Sequence, residues 1–175
     1  MGRAEKSDEA GIVALEVLLV LPVLGVILLG AVLGLDTAAR NYFQLRTQAE
    51  VQQEVQLAFA RIMDDCLAAT SLRRGSRSES IRLYAGERIL KEYFVHEDSK
   101  GVRKLVENDI KLPLTGNHAW AAVAVKSFGF KEVDPLGRPG LYRLWLEGTS
   151  SRRGIKPYKL TTEVYIPPKR QGGSP

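Results

Sequence analysis

The side chains able to do chemistry are few, and none is spaced for catalysis. His96 and His118 are the two histidines. Each stands beside a turn signal and neither belongs to a metal-ligand spacing, so both are expected as solvated loop side chains. Cys66 is the single cysteine, which excludes an intrachain disulfide and any multi-cysteine metal site. It falls on the apolar side of a helix-periodic stretch, where an inert buried thiol is expected rather than a nucleophile. Asp64 and Asp65 are adjacent acids, but neighbours on a helix point about 100° apart. They are expected to bracket the apolar stripe rather than share a proton. No catalytic residue, cofactor or metal is assigned, and nothing in the residues supports an enzyme.

Glu16 is the acid whose setting calls for a partner. It is the one ionisable residue between Ile12 and Leu35, in GIVALEVLLVLPVLGVILLGAVLGL. As a helix that run reaches about 36 Å, enough to cross a hydrocarbon core of about 30 Å with some tilt. An acid at the centre of such a helix costs about 2.5–3.5 kcal/mol on insertion scales. Glu16 lies about 6 Å along the axis from Ile12, so its depth is shallow. Two readings follow. Glu16 snorkels to the headgroups of an ordinary anchor, or it meets a positive group on another molecule. An α-amino group freed on a neighbouring copy by cutting the Gly11–Ile12 bond would be such a group.

The rest of the span bears on packing. Pro22 has no N–H to donate and should kink or loosen the helix locally. Gly30-Ala-Val-Leu-Gly34 is a small-xxx-small pattern that lets helices approach closely. The run is too long and its start too acidic for a cleaved secretory signal, and no cysteine near its end offers a lipoprotein site. Residues 1–35 carry a net charge of −2 against +5 for the whole chain, leaving +7 on the remainder. That excess suits an anionic partner or a soluble basic surface. Arg3 and Lys6 are offset by nearby acids, so the positive-inside signal is weak. The short, polar first ten residues are expected to be disordered and to stay in the cytoplasm.

Gly11-Ile-Val-Ala-Leu-Glu16 followed by a long apolar run resembles the class III leader of type IV pilins and pseudopilins. The longer string Gly11-xxx-Leu15-Glu16-xxxx-Leu21-Pro22 is similar to the Tad-type, E-like pseudopilin segment. The likeness covers about 25 residues, with Glu9 and Ala10 standing where such leaders are usually basic. It implies that a prepilin peptidase cuts between Gly11 and Ile12, with methylation of the new terminus. It also implies that Glu16 registers the subunit in a filament and that the helix loosens near Pro22 on assembly. The implied partners are the prepilin peptidase, other pilin or pseudopilin subunits, an inner-membrane assembly platform and membrane lipid. The implied place is the inner membrane, with the C-terminal part outside the cytoplasm.

Beyond the membrane run, Asp36 to Leu72 contains neither Pro nor Gly. Val51, Val55, Ala58, Ile62, Cys66 and Ala69 recur at spacings of four and three, with Phe59 widening the stripe, which predicts an amphipathic helix. Residues 73–80 read as a basic, serine-rich connector. Six strands are then expected: around Ile81–Ala85, Arg88–Val95, Val102–Val106, Trp120–Phe130, Leu141–Glu147 and Tyr158–Ile166. The expected fold is α+β, one long N-terminal helix packed on an antiparallel sheet. The segments are a leader at 1–11, a membrane helix at 12–35, an amphipathic extension at 36–72, a sheet domain at 73–166 and a flexible tail at 167–175. This layout, with its two closing strands, resembles minor pseudopilins of the J/W kind.

Two loop features remain. Asp134-Pro-Leu-Gly137-Arg-Pro139-Gly-Leu-Tyr142 resembles the DPWGxP(x)Y turn of major pseudopilins, a region linked in that family to calcium. Here Leu136 replaces the tryptophan and no acidic cluster follows, and Pro and Gly account for the turn without metal. Arg73-Arg74-x-x-Arg77 and Arg152-Arg153 could touch nucleic acid or wall polymer, but lack the interleaved aromatics of a strand-stacking groove. Solvated loop charge is the favoured reading. The expected function is a pilin-like structural subunit assembled through its N-terminal helix. The alternative is an uncleaved single-pass anchor displaying a binding domain.

Overall fold

In the computed structural model, residues 5–108, 113–116, 123–152 and 154–167 are described, with side chains from residue 16 onward. His118, Trp120 to Ala122, Arg153 and the tail from Pro168 lie outside them, as do the side chains at Gly11 and Ile12. One helix, α1, runs from Glu5 to Ala68 without a break. Residues 5–10, expected to be disordered, are its first turns. Extending a helix adds one hydrogen bond per residue fixed, whereas starting one is costly, so the apolar run carries the helix back into Glu5, Lys6 and Glu9.

Seven strands follow: β1 (Ser71–Arg74), β2 (Ser80–Ala85), β3 (Arg88–Glu97), β4 (Arg103–Glu107), β5 (Val123–Glu132), β6 (Leu141–Ser150) and β7 (Tyr158–Tyr165). All pairings are antiparallel, and they form two sheets rather than one, β1-β2-β3-β4 and β5-β6-β7. The fold is α+β, one long N-terminal helix packed on two antiparallel sheets.

The helix ends at Ala68, short of the expected Leu72, and part of the expected connector is strand β1. Thr70 explains the early exit. Its N–H donates to the Tyr84 carbonyl at 2.7 Å, and its hydroxyl accepts from the Gly86 N–H at 2.7 Å. A β-branched residue with a hydroxyl offers the backbone such partners outside the helix. Leu72 is then buried on β1 opposite Leu83. The β3–β4 turn is closed by Asp98, whose Oδ1 accepts the N–H groups of Val102 at 3.0 Å and Lys100 at 2.9 Å. Those bonds, with Lys104 beside them, hold the Asp98 carboxyl below its ordinary range.

The chain divides into two units, Met1–Phe43 and Gln44–Pro175. Within the second, every member of the predicted stripe, Val51 through Ala69 with Phe59, is buried. One cluster joins that stripe to Leu72, Ile81, Leu83, Tyr93 and Leu105 from the first sheet and to Val125, Phe128, Leu144 and Leu146 from the second. The last strands alternate: Leu144 and Leu146 are buried on β6, and Val164 on β7.

Gly148 is where β6 meets the helix. A Cβ there would come within 2.3 Å of Val55 Cγ2. Gly148→Ala should therefore cost about 1–3 kcal/mol by overpacking. Thermal unfolding in detergent should show the midpoint falling by several degrees, and an unchanged midpoint would mean that the two backbones can part freely.

Candidate membrane and assembly segment

Within the first unit, the described part of α1 buries nothing. Val17 to Leu35 are exposed, at 51–71% for the large hydrophobic residues. The helix is long and apolar enough to cross a membrane, and none of its most apolar window is covered by the rest of the chain. Soluble proteins rarely leave so large a continuous apolar surface in water. Polar side chains resume at Asp36, which pairs with Arg40 one turn on at 2.9 Å. The Thr37 hydroxyl bonds back to the Leu33 carbonyl at 2.8 Å. Tyr42 and Phe43 follow, exposed and edge to face with ring centroids 5.8 Å apart. Aromatic residues of this kind favour the membrane–water boundary.

The sequence-predicted site residues all lie on this one helix. Gly11 and Ile12 are in its early turns, where only the backbone is described. Pro22 is inside the helix and removes one rung of its hydrogen-bond ladder. Glu16 and Gly34 are about five whole turns apart and so share a face, with Gly30 about 40° away and Pro22 on another side. A Cβ at Gly30 or Gly34 would have nothing within 4 Å. No packing among the described residues calls for glycine at either position. Among the described residues Glu16 has no hydrogen-bond or ion-pair partner.

In the second unit the structure assembles a polar cluster that the sequence did not reveal. Lys91 reaches Asp65 and Glu107 at 2.9 Å each, and Arg61 reaches Glu107 at 2.8 Å. The fully buried Tyr93 donates its hydroxyl to Asp65. Burial, with the Asp65 bond and charge, pushes the Tyr93 hydroxyl upward and keeps it a neutral donor. Asp64 is exposed, so the acidic pair is split, and Asp65 fastens the helix to β3. The i,i+4 spacing of Arg61 and Asp65 beside the stripe was the available hint. A second anchor is reciprocal: Gln48 Nε2 donates to the Lys156 carbonyl at 3.1 Å and its Oε1 accepts the Lys156 N–H at 3.0 Å.

The other candidates are structural. His96 is a partly buried residue of β3 opposite Lys104, rather than a loop residue. In the Asp134 turn, Oδ1 accepts the Gly137 N–H at 2.8 Å, and a Cβ on Gly137 would strike the same carboxylate. Leu136 in this turn is 98% exposed. Among the described residues no group of His, Cys, Asp and Glu is arranged to hold a metal ion.

Cys66 is buried, and burial, then the Asp65 charge, pushes its thiol up to about 12. Below that value the thiol stays protonated, so at pH 8 the nucleophilic thiolate is scarce. Iodoacetamide should leave Cys66 unmodified at pH 8 and label it once urea unfolds the domain. Rapid labelling of the folded protein would show that the stripe opens.

No protein-family model, curated protein or solved structure matches the chain.

Proposed function

We propose that the chain is a pilin-like subunit of a membrane-assembled filament of the type IV pilus, Tad pilus or type II secretion kind. The observation that carries this reading is the division of labour along α1. One unbroken helix leaves its N-terminal apolar length without cover from any other described residue, while its distal length is the core of a sheet domain. Helices of neighbouring subunits would cover that apolar length once it leaves the membrane. The face shared by Glu16, Gly30 and Gly34 fits this role, with glycines open to close approach and an acid without a partner among the described residues. Prepilin peptidase cuts at Gly11–Ile12, and the new amino group of one subunit neutralises Glu16 of the next. The subunit waits in the inner membrane with its sheet domain outside the cytoplasm.

Intact mass measurement of the protein extracted from membranes of cells expressing a prepilin peptidase tests the reading. A chain starting at Ile12 is the expected result. A chain that keeps residues 1–11 removes the positive partner of Glu16, and the second reading, an uncleaved anchor that displays a binding domain, takes its place.

A further inference from the structure

We propose that β7, from Lys159 to Tyr165, is the edge through which two copies of this chain join, antiparallel and in a register centred on Thr161. The inference rests on the sheet domain and holds whether α1 assembles or merely anchors. Among the described residues β7 pairs with β6 only, and no hydrogen bond reaches the backbone on its other side. The Ile166 N–H donates to the Gly140 carbonyl at 2.8 Å, and the register runs unbroken from Tyr158 to Tyr165. Alternation along an antiparallel pair therefore turns the N–H and C=O groups of Leu160, Thr162 and Val164 toward β6. Those of Lys159, Thr161, Glu163 and Tyr165 face outward. The side chains of these four are exposed and lie on one face of the sheet.

Edge charges normally turn foreign strands away, and this edge carries Lys159 and Glu163. Their order admits one partner, a reversed copy of the same strand. A two-fold axis at Thr161 sets Lys159 of each copy opposite Glu163 of the other, with Thr161 opposite itself. These are hydrogen-bonded pairs, which exchange about six backbone bonds in all. On the other face Tyr158 meets Val164, an aromatic ring beside a β-branched side chain. Pro157 and Pro167 bracket the strand, and having no N–H they stop the pairing there.

The register inside the sheet extends the match. Arg143 on β6 lies opposite Glu163 and pairs with it at 2.7 Å, and Glu147 lies opposite Lys159. Joining two copies therefore gives rows that alternate in sign across four strands: Arg143 and Glu163, then Lys159 and Glu147 of the second copy. A slip of two residues either way parts both new ion pairs, so the charges fix the register. The axis stands normal to the sheet. A helix packed against that sheet, as Val51 to Cys66 are, runs in opposite directions in the two copies. The pair therefore links copies that face one another from separate membranes or filaments, rather than neighbours in one. A single contact of this kind is small, and rows of them along two surfaces add by multivalency.

Cross-linking the full-length protein in detergent micelles, where each copy can turn freely, tests the pairing. Thr161→Cys places a thiol on the axis, with its mate about 5.5 Å away between Cα atoms. The native Cys66 is buried. A short bis-methanethiosulfonate should join the Thr161→Cys protein into a covalent dimer and leave Leu136→Cys, at a 98% exposed turn position, monomeric. Adding Lys159→Glu or Glu163→Lys to Thr161→Cys should each lower the yield about tenfold, because the symmetry creates two like-charge pairs at once. An equimolar mixture of these two charge variants should recover the yield, since each supplies the charge that the other has lost. Recovery in the mixture also shows that neither variant has unfolded. Three results would overturn the proposal. Thr161→Cys cross-links no better than Leu136→Cys, or the charge reversals leave the yield unchanged, or the mixture fails to recover it.

Discussion

On the proposed pilin-like reading, Glu16→Ala should leave the protein in the membrane and remove it from filaments. The substitution deletes the only charge in the apolar run, so insertion becomes easier by up to about 2.5–3.5 kcal/mol. Nothing among the described residues is lost, because no described side chain pairs with Glu16. On that reading what is lost is the partner proposed for a neighbour's amino group, and leaving one member of a buried ion pair alone costs about 3–5 kcal/mol. That corresponds to more than a hundredfold in each association step. Membrane flotation should therefore recover the variant as it recovers the parent, while the sheared-filament fraction should be empty. A normal yield of filaments containing the variant would end the role assigned to this acid.

Ile62→Ala should strongly destabilise the sheet domain without touching the apolar N-terminal segment. Ile62 is 0% exposed and belongs to the cluster that joins α1 to both sheets. Truncation removes buried methyl groups and leaves a cavity that three surrounding layers cannot close together, at a cost of about 2–5 kcal/mol. Domains of this size are stable by only about 5–15 kcal/mol. Leu57→Ala is the control, since Leu57 is 64% exposed on the same helix and should change stability by no more than about 0.5 kcal/mol. Urea unfolding followed through the fluorescence of Trp145 should separate the two variants clearly. Equal midpoints would mean that the helix is not part of the core.

The helix passes from a segment that no other described residue covers into one that is the centre of a core, with no Pro or Gly to mark the change between Asp36 and Leu72. The change is carried by pattern alone. Before Leu35 apolar residues surround the helix, whereas from Val51 they keep to one stripe.

Local chemistry made several features legible without coordinates. The apolar run, the stripe from Val51 to Ala69 and the alternation on β6 and β7 depend on neighbours a few residues apart, and each has its own periodicity. The small share of reactive residues was equally plain. Tertiary structure alone decided the rest. Strand β1 hid in a basic connector because its pairing with β2 is supplied by Tyr84 and Leu83, not by its own composition. The split into two sheets depends on which edges stay unpaired. The bonds from Asp65 to Lys91 and Tyr93 join residues distant in sequence, and Gly148 is required only because Val55 arrives opposite it. Propensity acts over a few residues, whereas register and close approach are set by parts of the chain that meet only in the folded state.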